Sequence, residues 1–394
     1  MIYRPFRDVE LSLLGFGAMR LPTLPNGEIN REETFKMVDT AIQNGINYFD
    51  TAQPYHGGMS ELVLGEALKR HKREDFFLAT KFPGHQIFSS YDPKAVFEGQ
   101  LKKCGVEYFD FYLLHNVYEH SIEVYTDPKW GIIDYFLEQK KQGKIRYLGF
   151  STHADTETLK AFLEQYGKDM DFCQIQLNYL DWTLQDAEGK YELLKQHNMP
   201  IFVMEPVRGG KLVQIPEKEM QDLKVLRPEA SAVEWCFRFL ETLPRVNMVL
   251  SGMSSMAQLE DNLRTFKQEK PLSEQELSAL FSVAESMKDG VPCTACGYCK
   301  EGCPMGLDIP KMLSTLNDIQ FSPSVNSTMW IEFSPEDKKP SACISCGKCA
   351  RVCPQKIDIP KELLKLADKL KAMPSWAAIS KEREEIQRRW AEKS

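Results

Sequence analysis

The chain has 394 residues, 43% hydrophobic and 27% charged, which is enough apolar sequence to bury at least one full-sized core and excludes a disordered tail. Its 49 Lys and Arg face 56 Asp and Glu, a net charge of −7, and no basic block stands ready to neutralise a run of phosphates, which argues against nucleic-acid binding. The apolar runs are far shorter than the roughly 20 residues that span a bilayer, and Met1-Ile2-Tyr3-Arg4-Pro5 lacks the pattern of a secretory leader, so the expectation is a cytoplasmic protein with no membrane partner.

Between Ser12 and Thr265, short β-branched or aromatic runs alternate with longer segments of helical period. The predicted strands are Leu13–Phe16, Ile46–Phe49, Phe76–Ala79, Phe109–Leu114, Tyr147–Phe150, Phe172–Gln176, Ile201–Met204 and Met248–Leu250. Their nearly continuous apolar interiors suit strands buried on both faces of a parallel sheet. The first predicted helix carries its own punctuation: Asn30 caps it, Glu33 sits at the capping-box position, Phe35, Val38, Ala41 and Ile42 form one apolar stripe, and Gly45 stops it. Eight strand–helix units close as an α/β fold, the (β/α)8 TIM barrel, expected over residues 1–285 with its active site at the C-terminal ends of the strands.

Three of those ends carry chemistry. Asp50 and Tyr55 follow the second strand, Lys81 the third, and His115 the fourth. A carboxylate, a phenol, an ammonium and an imidazole from successive strands face one another across a barrel mouth. The Lys81 ammonium is expected to lower the pKa of the Tyr55 phenol, Asp50 to hold Lys81, and His115 to orient a carbonyl oxygen towards Tyr55. His56, His85 and His153 have no such context and are read as structural or substrate-lining.

The cysteines are lopsided: three lie before residue 293 and eight crowd into 293–353, in a region expected at 286–370. Cys293, Cys296, Cys299 and Cys303-Pro304 repeat as Cys343, Cys346, Cys349 and Cys353-Pro354, and Leu307-Asp308-Ile309-Pro310 recurs as Ile357-Asp358-Ile359-Pro360. Zinc competes for four thiolates, but zinc ribbons usually pair two Cys-x2-Cys knuckles, and two tandem runs of four favour iron–sulfur clusters. The run resembles that of bacterial ferredoxins, in which the fourth cysteine serves the other run's cluster. That resemblance implies two [4Fe–4S] clusters in a small ferredoxin-like α+β domain, one held by Cys293, Cys296, Cys299 and Cys353 and the other by Cys343, Cys346, Cys349 and Cys303. The remainder, 371–394, reads as a charged helical tail.

The barrel region resembles the aldo-keto reductase superfamily in Leu14-Gly15-Phe16-Gly17, in Phe49-Asp50-Thr51-Ala52 with Tyr55, in Thr80-Lys81 and in Leu113-Leu114-His115. It looks like the bacterial branch with a ferredoxin-like domain after the barrel. The resemblance implies a catalytic tetrad of Asp50, Tyr55, Lys81 and His115, a small carbonyl or alcohol substrate, and NADPH or NADH across the barrel mouth. It also implies contacts to the nicotinamide carboxamide from Ser151, Thr152 (where the family usually has Asn) and Gln174, with Met204 in place of the stacking aromatic and Asp261 and Asn262 on the adenine side. Segment 251–258 lacks the cations that clasp a 2′-phosphate, so NADPH preference is not implied, and Arg208 or Lys211 is left to serve the pyrophosphate.

Clusters pass single electrons whereas nicotinamide passes a hydride, and the sequence has no flavin motif to mediate. A ferredoxin or flavoprotein electron partner is therefore a further expectation. Two alternatives stand: a reductase fed by ferredoxin without nicotinamide, and a redox-gated binding or sensor module with structural clusters.

Overall fold

A computed structural model describes residues 1–86, 90–119, 121–213, 215, 217–287, 291, 293, 298–321, 325–353 and 357–391. The chain divides into two compact units, Met1–Leu280 with the segment from Ile386, and Phe281–Glu385.

The first unit begins with an antiparallel hairpin, β1 (Tyr3–Phe6) and β2 (Val9–Ser12). Eight parallel strands follow: β3 (Leu14–Gly17), β4 (Tyr48–Asp50), β5 (Phe77–Phe82), β6 (Phe109–Leu114), β7 (Ile145–Thr152), β8 (Phe172–Gln176), β9 (Ile201–Met204) and β10 (Val246–Gly252). They pair in sequence order, and β10 returns to β3 to close the barrel. The eight predicted strands are all present, several of them extended or shifted at their ends.

The hairpin was not expected, and it seals the bottom of the barrel. Phe6 packs its ring against Phe111, Tyr147, Phe172 and Phe202, all from barrel strands. Tyr48, Ala79, Leu113, Met248 and Leu250 complete that apolar interior. With the N-terminal end filled by side chains, the polar residues at the C-terminal end are the ones left to face a ligand. The first barrel helix, Arg31–Gln43, starts as expected, with the Asn30 side chain accepting from Glu33 N, and Gly45 ends it with φ +89°.

In the second unit the cysteine repeat becomes a repeat of helices. Tyr298–Glu301 and Ile309–Phe321 recur as Lys348–Arg351 and Ile359–Lys371. Leu307 and Ile309 of one half and Ile357 and Ile359 of the other are buried in one core with Leu313, Leu316, Leu363 and Leu366. The described residues of this unit are helices and turns, where a mixture of helix and strand was expected. The tail is a helix, Trp376–Ala391. No helix among the described residues is long and apolar enough to cross a membrane.

Candidate active site and cysteine cavity

Lys81 is fully buried in β5, and an ammonium persists there because each of its three protons has an acceptor. Nζ donates to Asp50 Oδ1 at 2.5 Å, to the Thr51 carbonyl at 2.8 Å and to the Tyr55 hydroxyl at 3.4 Å. Asp50 ends β4, the neighbouring strand, so the ion pair follows directly from strand order. Burial pulls the Lys81 pKa down, but facing Asp50 and Tyr55 more than restores it and leaves it raised, so Lys81 is charged at neutral pH.

Tyr55 comes from a short 3-10 turn, Tyr55–Gly58, in which His56 and Gly57 adopt positive φ. His56 pins that turn: its Nε2 accepts the Leu21 backbone N–H at 3.0 Å, a structural role. The Tyr55 phenol departs from expectation. Burial pushes its pKa up, and the Lys81 ammonium lowers it without cancelling that rise, to which the Asp50 carboxylate adds. Tyr55 is therefore a protonated phenol across the neutral range.

His115 extends the mouth from the end of β6. Its ring stands perpendicular to that of Tyr55, with centroids 6.0 Å apart, and its carbonyl accepts from the buried Tyr125 hydroxyl at 2.7 Å. The His85 ring lies 4.3 Å from the His115 ring and is itself buried, so His85 belongs to the site wall. His85 was read from sequence as structural or substrate-lining, and the fold is what brings it beside His115.

A buried network behind β5 was also not expected. The Gln100 amide donates to Glu61 Oε1 at 2.8 Å and to the Lys81 carbonyl at 2.9 Å, and it accepts from the Tyr112 hydroxyl at 2.6 Å. Thr80 donates to the same Glu61 oxygen at 2.7 Å. This network fixes the strand that carries Lys81. Gln100→Leu leaves the Tyr112 hydroxyl, a Glu61 oxygen and the Lys81 carbonyl short of a partner, and is expected to cost about 2–3 kcal/mol in urea unfolding. Lys94→Ala, exposed on the helix Pro93–Cys104 that also carries Gln100, should change stability by less than about 0.5 kcal/mol.

The residues expected to meet a nicotinamide divide into two groups. Ser151 and Gln174 are register partners at the ends of β7 and β8, both buried, and Gln174 Oε1 has no hydrogen-bond partner among the described residues. A buried amide oxygen without a partner fits a site that receives a carboxamide N–H. Met204 ends β9, half-buried. Asn262 donates to Ser251 Oγ at 2.9 Å, and Asp261 pairs with Arg264 at 2.6 Å.

Thr152 and Arg208 are engaged elsewhere. The Thr152 hydroxyl donates to the Val117 carbonyl at 2.6 Å and accepts from Ala154 N at 2.9 Å. Arg208 Nε is sequestered against both oxygens of Asp181, at 3.0 and 3.1 Å, in a pair that Gln176 and Asn178 also bond. The side chain of Lys211 lies outside the described residues. The half-exposed cation at the mouth is instead Arg20, whose guanidinium is 3.7 Å from Glu205 and whose side chain runs beside Gly209 and Gly252.

In the second unit, Cys303, Cys343, Cys346 and Cys349 line a single cavity with Pro304, Leu307, Ile344 and Leu363. This grouping takes its fourth thiol from the other run, as the ferredoxin resemblance implies. Among the described residues, no three His, Cys, Asp or Glu lie close enough to share one metal ion. Burial pushes the Cys349 thiol pKa up, and the neighbouring Cys343 and Cys303 add to that rise. Cys293 and Cys353 pack against the core of the unit, in which Cys299 is buried. Cys296 lies outside the described residues.

The model of the aldo/keto reductase family matches residues 13–285, well over half of the chain. The chain belongs to the aldo/keto reductase family. Residues 292–357 match the 4Fe-4S dicluster domain, so this aldo/keto reductase carries an iron–sulfur module after its barrel. It is 27% identical to the uncharacterized oxidoreductase YqkF of Bacillus subtilis, over 70% of this chain and 93% of that protein. It is 23% identical to the NADH-specific methylglyoxal reductase of Escherichia coli, over 71% of this chain and 97% of that protein. Among solved structures, the holo form of aldo-keto reductase AKR11C1 from Bacillus halodurans aligns with a TM-score of 0.60 and 28% identity, covering 72% of this chain and 96% of that one. Each of these relatives is matched over most of its own length but under three-quarters of this oxidoreductase.

Proposed function

We propose that this oxidoreductase reduces small carbonyl compounds, or oxidises the corresponding alcohols, at Asp50, Tyr55, Lys81 and His115, with NADH or NADPH as hydride donor. The observation that carries this reading is the buried Lys81 ammonium held between Asp50 and Tyr55 at the barrel mouth. A bound nicotinamide supplies the hydride. His115 orients the carbonyl oxygen towards Tyr55, which gives it a proton as negative charge develops there, and Lys81 stabilises the phenolate left behind. Asp50 keeps Lys81 charged and fixed. Ser151 and Gln174 are the proposed carboxamide contacts, with Met204 beside the ring, Asp261 and Asn262 towards the adenine, and Arg20 as the cation available to the diphosphate.

Residues 1–285 are assigned this chemistry, residues 286–370 the two [4Fe–4S] clusters, and residues 371–394 a charged tail that includes the helix Trp376–Ala391. Titration of the protein with NADH and NADPH, followed by quenching of its fluorescence, tests the cofactor reading. Gln174→Leu removes the amide whose oxygen lacks a partner among the described residues and is expected to raise the Kd about tenfold, the loss of one to two hydrogen bonds. Binding of neither nucleotide by the wild type would contradict the reading and favour reduction fed through the iron–sulfur module alone.

A further inference from the structure

The cysteine repeat is close to exact in its ligands and its core, so the places where its halves differ on the surface are informative. Three large apolar side chains of the second half are exposed: Ile344 at 60%, Val352 at 49% and Leu364 at 49%. Their counterparts in the first half are Thr294, Gly302 and Ser314, none of them large or apolar. Ile344 lines the cavity of Cys303, Cys343, Cys346 and Cys349, whose Cys346 is itself exposed. Val352 follows the helix Lys348–Arg351, and Leu364 follows Leu363, another residue of the cavity wall.

Charge departs from the repeat in the same place. Between 343 and 371, seven Lys and Arg face three Asp and Glu, against two and three between 293 and 321, in a chain that is net negative. Arg351 stands where the first half has Glu301, and Lys348 where it has Tyr298. Lys348, Arg351 and Lys361 are all exposed.

We propose that the face bearing Ile344, Val352 and Leu364 is the docking surface for a small acidic electron-carrier protein of the ferredoxin type, which comes up against the cavity of Cys303, Cys343, Cys346 and Cys349. The inference rests on the reading of those four thiols as iron–sulfur ligands. Exposed apolar side chains on a segment of net positive charge suit this class of partner: redox encounters bury little area, the apolar contacts supply contact energy, and the opposite charges supply steering and orientation. The first half has small or polar residues at the equivalent sequence positions.

The test uses the full chain purified without oxygen and an acidic bacterial ferredoxin as probe, with binding measured on a sensor surface at low and high salt. The wild type should bind, and binding should weaken as salt screens the cations. Ile344→Glu and Val352→Glu should each raise the Kd about tenfold or more, because a carboxylate is placed at the apolar centre facing an acidic partner. Ser314→Glu, the matching change in the first half, should shift it less than about twofold. Unchanged binding by the two apolar-site variants overturns the proposal, as does absence of binding by the wild type. Self-association of the wild type that Val352→Glu abolishes overturns it in favour of a second copy on this face. Iron content and visible absorption are read for each protein alongside, and a wild type that holds no iron overturns the ligand reading and the docking with it.

Discussion

Tyr55→Phe is expected to abolish aldehyde reduction for practical purposes, lowering kcat by about 10² to 10⁴-fold, the contribution of a positioned proton donor. The fold should survive, because the phenol oxygen makes one long contact, 3.4 Å from Lys81, and the turn that carries it is pinned by His56 rather than by Tyr55. The Kd for NADH should also hold, since the proposed carboxamide contacts are Ser151 and Gln174. The pH profile follows from the same burial. A proton donor works below its pKa, and burial holds that of Tyr55 above the usual phenol value, so kcat should not fall on the alkaline side until pH exceeds about 10. A variant with unchanged kcat, or a wild type that loses activity near neutral pH through Tyr55, would contradict this role.

The second large effect concerns iron. Cys303→Ala is expected to remove about half of the iron bound by the anaerobically purified protein, as one of two four-cysteine sites loses a ligand. Cys343→Ala should do the same. The pair of changes together decides the crosswise arrangement: if Cys303 and Cys343 serve one site, the double variant still keeps about half, because the second change strikes a site already lost. If each serves its own run, the double variant keeps almost none. Nucleotide binding at the barrel should be untouched in all three proteins.

The barrel was legible because parallel strands buried on both faces write themselves as short apolar runs, and the eight runs at β3 to β10 did so. Their ends were less legible. Thr80 and Lys81 belong to β5, but they are polar because they face a buried network and an ion pair, so an apolar pattern stops short of them. The β1–β2 hairpin escaped notice because Pro5 weakens its first strand and Arg7-Asp8 is not the Asn-Gly or Asp-Gly pair that announces a tight turn.

The placement of Asp50, Tyr55, Lys81 and His115 at one barrel mouth could be read from strand ends and family resemblance, whereas the balance of charges around Tyr55 could not. Lys81 alone argues for a more acidic phenol, but burial and Asp50 together outweigh it. Thr152 and Arg208 illustrate the same limit: the family resemblance suggested a cofactor contact for the first and loop position for the second, and only the fold reveals that Val117 and Asp181 already hold them. In the second unit, the repeat itself was legible in the cysteine spacing and the crosswise grouping came from the ferredoxin resemblance, while the exposed Ile344, Val352 and Leu364 gained meaning only from their solvent exposure.

Hydride delivery from nicotinamide to the substrate carbon is the central claim, and isotope transfer tests it most directly. NADH or NADPH carrying deuterium at the transferable C4 position is incubated with the anaerobic protein and methylglyoxal, and the product is weighed by mass spectrometry. One deuterium on the new carbinol carbon is the expected result. Turnover that yields an unlabelled alcohol, with the hydrogen drawn from water, would contradict the account and assign the electrons to the iron–sulfur module instead.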